Sequence, residues 1–160
     1  MPRIKIDLPE QFSFATELAI YQSHINYGGH LDNAQLLTLV SEARARYFRA
    51  LGYHEGDIDG VGIILADAAV QYKSEAFQGE IMVITMLAHE FSRNGCDLIW
   101  QMSEKTSRRE VARGKSGIVF MDYANRKVAP VPESFRQQAT SLPAPACTIS
   151  APPNTLPDGL

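Results

Sequence analysis

At 160 residues the chain fits one domain long enough to bury a sizeable core. It is 45% hydrophobic and 21% charged with a net charge of −3, which argues against a nucleic-acid partner and its basic patch. Two cysteines in unrelated contexts, Cys96 and Cys147, do not make a disulfide framework and suit a reducing cytoplasm. The first residues lack the apolar run of a signal peptide, and no segment approaches the roughly 20 apolar residues of a membrane span.

In chain order, Phe12 to His24 reads as a strand rich in β-branched and aromatic residues. Asn26 to Asn33 follows as a polar turn with two glycines, Gly28 and Gly29. A turn feeding a helix start makes a socket for a carbonyl oxygen or an anion. Leu36, Val40, Ala43, Tyr47 and Leu51 then mark one long amphipathic helix, with Leu37, Leu39 and Phe48 widening the stripe. Asp32 or Asn33 caps its start and Gly52 closes it.

Four further strands are predicted at Val61–Tyr72, Ile81–Phe91, Asp97–Glu104 and Glu110–Tyr123, with Asn94-Gly95 as a tight hairpin signal. The positive cluster of Arg108, Arg109, Arg113 and Lys115 reads as a solvated strand end. The order predicts an α+β layout, an antiparallel sheet of about five strands wrapped on one central helix. Residues 1–138 form the domain, and 139–160 read as a proline-rich, poorly ordered tail.

These residues resemble the hot-dog-fold thioesterases of the 4-hydroxybenzoyl-CoA thioesterase-like family. That family carries a D-x-x-G-H-V-N-N loop before a helix with E-A-R-x-x-Y-[LF]-x-x-L-G. Here the loop is Asn26-Tyr27-Gly28-Gly29-His30-Leu31-Asp32-Asn33, and the helix is Glu42-Ala43-Arg44-Ala45-Arg46-Tyr47-Phe48-Arg49-Ala50-Leu51-Gly52. Val70 to Glu80 is similar to the family's I-D-Y-x-x-P-A-x-x-G-D, and Pro130 to Phe135 to its closing P-x-P-x-x-[FI]. The likeness covers about residues 13–136. Three positions depart from it: Asn26 replaces the loop acid, Asp32 the first asparagine of the pair, and Glu75 the proline.

The resemblance implies hydrolysis of an acyl-CoA thioester at a site formed between protomers of a homodimer or homotetramer, without a cofactor. The backbone N–H of Asn33 would polarise the carbonyl, since free helix-start amides favour developing negative charge. Asn26 cannot act as a base; its amide orients a water or donates to the carbonyl. A carboxylate must then come from elsewhere, and Asp32, Glu42 and Asp67 are the candidates. Glu42 borders the apolar arc of the helix, and Asp67 interrupts an apolar strand, where a lone acid wants a partner or a role.

Tyr27, Gly28, Gly29 and His30 would line the substrate, and His24 is a further candidate base. Lys73, Arg93 and Arg113 could meet the CoA phosphates. Two histidines with no third companion make no metal site. Two rivals follow from the lost acid. One is a non-catalytic acyl-CoA or acyl-carrier binding protein, or dimeric interaction module. The other is hydration or dehydration of an acyl thioester, which needs a His–carboxylate pair.

Overall fold

The computed structural model describes residues 1–143 and residue 145. Strand β1 (Phe14–Ala19) leads through a 3-10 turn, Gln22–His24, to helix α1 (Asn33–Ala50). Strands β2 (Gly62–Tyr72), β3 (Ile81–His89), β4 (Gly95–Glu104) and β5 (Glu110–Asp122) follow. A two-residue strand β6 (Lys127–Val128) and helix α2 (Glu133–Ser141) are the last elements among the described residues. The sheet is antiparallel in the order β1-β3-β4-β5-β2, with β6 added to β5. This is the α+β hot-dog architecture, with α1 packed on β1 and β3.

Alternation along the strands decides what α1 covers. Met82, Ile84 and Met86 of β3, with Leu98, Trp100 and Met102 of β4, are fully buried against Tyr47 and Phe48 of the helix. Trp100 lies over Gly114 of β5, where any Cβ would overlap the indole and stand 2.6 Å from the Ala69 carbonyl oxygen. The opposite face is polar: Lys115 bonds Asp97 at 2.8 Å and lies 3.5 Å from Asp67. The N-terminal segment drapes over that face. Ile6 is buried there, and its carbonyl accepts from Arg113 at 3.2 Å.

Three differences from the expected elements have local causes. The first strand ends at Ala19 because His24 Nδ1 accepts the Tyr21 N–H at 3.1 Å, which turns the chain into the 3-10 segment. The Asn94-Gly95 signal belongs to a longer connection, closed by reciprocal bonds between Ser92 and Gly95. The closing element is a helix that runs past residue 138 to Ser141 and buries Ala139. The rest of the expected tail, residue 144 and residues 146–160, lies outside the described residues.

Phe135 anchors α2. It is fully buried, stacks on Phe48 at 5.4 Å between centroids and meets Phe120 at 5.2 Å. Phe135→Ala is expected to cost about 3–5 kcal/mol in urea unfolding, the usual penalty for a core aromatic. A cost within about 0.5 kcal/mol would mean that α2 is not part of the cooperative core.

Glu104 closes the β4–β5 turn. Its carboxylate accepts from Ser107 N at 2.6 Å, Ser107 Oγ at 2.7 Å and Thr106 N at 3.1 Å. The Ser107 amide, the Ser107 hydroxyl and the Thr106 amide pull its pKa from the usual 4.5 to about 2. A pKa lowered in the folded state contributes stability that is complete above the unfolded value and is lost as pH falls through the folded one. Thermal melts of the wild type and Glu104→Gln should therefore diverge most above about pH 5 and converge towards about pH 2. A constant gap across that window would contradict this role.

Candidate active site

The loop before α1 is a closed backbone structure. Ile25 bridges Leu31, Asn26 N donates to His30 O at 3.0 Å, and Gly29 N donates to Asn26 O at 3.0 Å. Gly29 takes φ of +82°, a conformation glycine adopts without strain. The Asn26 Oδ1 accepts the Gly28 N–H at 2.9 Å. One lone pair of its oxygen is engaged within the turn, and the two N–H donors of Nδ2 have no partner among the described residues.

The helix start is uncapped at one position. Asp32 Oδ1 accepts from Ala34 N at 2.8 Å and Gln35 N at 3.3 Å, and Asp32 O accepts from Leu36 N at 2.9 Å. The Asn33 N–H has no acceptor among the described residues, and Asn33 is an exposed residue. It stands at the positive end of an 18-residue helix. Tyr72 of β2 reaches the Asn33 carbonyl at 3.5 Å, which puts the end of β2 beside this amide.

Two hydrogen bonds stitch this region to its neighbours. Asp32 N donates to His24 O at 2.9 Å, and Leu31 N donates to Ala76 O at 2.8 Å. The second carries the β2–β3 connection to the loop and sets Glu75 beside His30, with Glu75 Oε1 at 3.7 Å from His30 Nε2. A Cβ placed on Gly28 would lie 3.1 Å from both Asn26 Oδ1 and His30 Nε2. Glycine at 28 therefore lets the two side chains sit close together.

The remaining candidates lie as follows. Tyr27 is fully exposed at the loop tip, and Gly29 has open space around it. Lys73 follows β2 at the helix-start end of the sheet; Arg93 lies in the β3–β4 connection, towards the opposite strand ends. Arg113 is held by Glu110 through bonds of 2.6 and 2.8 Å. Glu42 accepts from Arg46 at 2.8 Å, and Arg46 continues to Thr16 of β1. Asp67 pairs with Gly117 beyond a β-bulge and faces away from α1, next to Lys115. No hydrogen bond joins Glu42 or Asp67 to Asn26 among the described residues.

His24 presents no base on Nδ1, which accepts the Tyr21 N–H. Its proton in the neutral form is therefore on Nε2. Glu75 is the carboxylate that the chain brings to the loop, and sequence reasoning marked it only as a departure from the family's proline. Its signal was an acid at a position where a rigid turn residue would serve equally well for shape.

The structure is similar to several solved structures. One is Slr0204, a 1,4-dihydroxy-2-naphthoyl-CoA thioesterase from Synechocystis: 19% identity, 82% of this chain and 98% of that one covered, TM-score 0.74. BH1999, a gentisyl-coenzyme A thioesterase, matches at 16% identity over 78% of this chain and 98% of its own, TM-score 0.70. SAV2348 from Staphylococcus aureus, solved in complex with CoA, matches at 15% identity over 92% and 100%, TM-score 0.73. At such identities the likeness concerns the fold. No curated protein matches the chain significantly in sequence. The family model of the thioesterase-like superfamily matches residues 21–139, from the 3-10 turn to α2, and the chain belongs to that superfamily.

Proposed function

We propose that the protein hydrolyses acyl-CoA thioesters, with the carbonyl oxygen bound at the Asn33 N–H. The observation that carries this reading is the Asn33 amide at the start of α1, which has no acceptor among the described residues. Backbone donors at a helix terminus favour the charge that develops on a thioester oxygen under attack. Nδ2 of Asn26, without a partner among the described residues, is a second donor on the same loop. The thioester is already activated, so the reaction asks for no cofactor. Glu42 and Asp67, each beside a cation of its own protomer, take no part in this reading.

The working unit in this reading is a homodimer. β2 pairs with β5 on one side only, and its other edge is open. Ile64 and Leu65 on that strand are 37% and 51% exposed, an apolar edge that a second copy would cover. Leu37 of α1 is 37% exposed as well. Lys73 lies at the helix-start end, where a CoA phosphate would need a cation. Among the described residues no helix is long and apolar enough to cross a membrane. A CoA substrate fits a cytoplasmic location.

Two structural neighbours are named for aromatic acyl-CoA substrates, so a panel should span aryl, short, medium and long acyl-CoAs with free thiol release followed. Turnover of at least one of them is expected, and Asn26→Ala should lower kcat by about 10²-fold, the usual loss of one donor to the developing oxyanion. Saturable acyl-CoA binding without thiol release would contradict hydrolysis and favour the non-catalytic rival.

Leu65→Arg places a charge on the open edge of β2 without touching the loop. Light scattering should then show a smaller assembly than the wild type, with turnover lost in parallel. An unchanged assembly would contradict the β2 interface.

A further inference from the structure

This inference rests on the thioesterase reading and supplies what that reading lacks, a group that takes the proton of the attacking water. Asn26 cannot accept a proton, and Glu42 and Asp67 are turned to Arg46 and Lys115. We propose that His30 is the general base of this site, acting through Nε2, and that Glu75 is the residue that positions it and balances its charge.

The hydrogen bonding of the ring sets the tautomer. His30 Nδ1 lies 3.3 Å from the Leu31 carbonyl oxygen, which can only accept. The neutral ring therefore carries its proton on Nδ1 and its lone pair on Nε2. Nε2 points towards Glu75, 3.7 Å away, and towards the space kept free of a Cβ at Gly28, beside Asn26. A carboxylate at that distance does little for a neutral ring. It stabilises the imidazolium that forms once Nε2 has taken a proton.

The His30 side chain is 35% exposed, sheltered but open to a water. The charged groups facing it are few. Glu75 comes from the β2–β3 connection, and the Asp32 carboxylate at the start of α1 is turned onto the Ala34 and Gln35 amides. His24, on the 3-10 turn, is turned to Tyr21 N. Among the described residues Glu75 is the acidic side chain paired with the ring.

The step balances. A water oxygen bonds the thioester carbon while one of its protons passes to Nε2. The carbonyl electron pair moves onto the oxygen held by the Asn33 N–H. Collapse of that adduct breaks the C–S bond, and the imidazolium returns the proton to the departing thiolate. One acyl-CoA and one water yield one carboxylic acid and one free thiol.

The test uses the full chain with the acyl-CoA turned over fastest, and the variants His30→Gln, Glu75→Gln, Glu75→Asp and Glu75→Pro. His30→Gln should lose about 10²–10⁴-fold in kcat, the span of general-base contributions. Glu75→Gln and Glu75→Pro should lose about 10–100-fold in kcat with KM unchanged, and Glu75→Asp should recover part of it. Glu75 is 65% exposed on a turn, so its variants are expected to fold even where His30→Gln does not.

Nitrogen NMR of the resting wild type should find the neutral His30 proton on Nδ1. Turnover unaffected by any of these changes, or a proton on Nε2, overturns the dyad and leaves the thioesterase reading intact. Absence of wild-type turnover on every acyl-CoA overturns both.

Discussion

The hydrogen bond from Leu31 N to Ala76 O holds the site together. It ties Leu31 of the loop to the connection between β2 and β3, two segments more than forty positions apart. Without it the loop would be anchored only by its own turn and by Asp32 N to His24 O. With it, Leu31 is buried, α1 starts in a fixed place, and Glu75 is carried to the His30 ring. One long-range backbone contact thus sets the geometry of side chains that sequence keeps far apart.

The accounting of backbone donors explains why the start of α1 suits a carbonyl. Buried or partly buried amides are nearly always paired. Asp32 answers for two amides with its side chain and for a third with its carbonyl, and skips Asn33. The aspartate that replaces the first asparagine of the family's pair therefore has a structural task at the cap. The same reasoning fixes the chemistry of Asn26. Its oxygen accepts within the turn and its N–H groups have no partner among the described residues, so the loop offers donors that a carboxylate would lack. Donors without a base would bind an acyl group and leave it uncleaved, which is why the neighbouring imidazole matters.

Much of the architecture was legible in the sequence. The stripe Leu36, Val40, Ala43, Tyr47 reports directly on one buried helix face, and the apolar runs between turn residues report the strands. Register, edge position and long-range juxtaposition were not legible, because they depend on partners elsewhere in the chain. Asp67 reads as an acid that interrupts an apolar run and wants a partner or a role, but which partner is invisible until a bulge in the edge strand β2 sets it 3.5 Å from Lys115. Strand β1 stops short because one histidine nitrogen caps a 3-10 turn, a contact no periodicity encodes. Pro130 to Phe135 reads as a closing element from its motif, but that Phe135 seats a helix in the core depends on Phe48 and Phe120 elsewhere in the chain. The Asn26 loop was found from its motif, but the Glu75 beside it depends on the Leu31–Ala76 bond and could only be seen in the fold.

The central claim is that a thioester carbonyl sits at the unpaired amide of α1. A crystal structure of the protein with a non-hydrolysable acyl-CoA analogue, its thioester replaced by a ketone, tests this directly. The account predicts the ketone oxygen about 3 Å from Asn33 N, with the ketone carbon facing His30 Nε2 across room for one water. A ketone oxygen bound to other donors, with Asn33 N left to solvent, would contradict it.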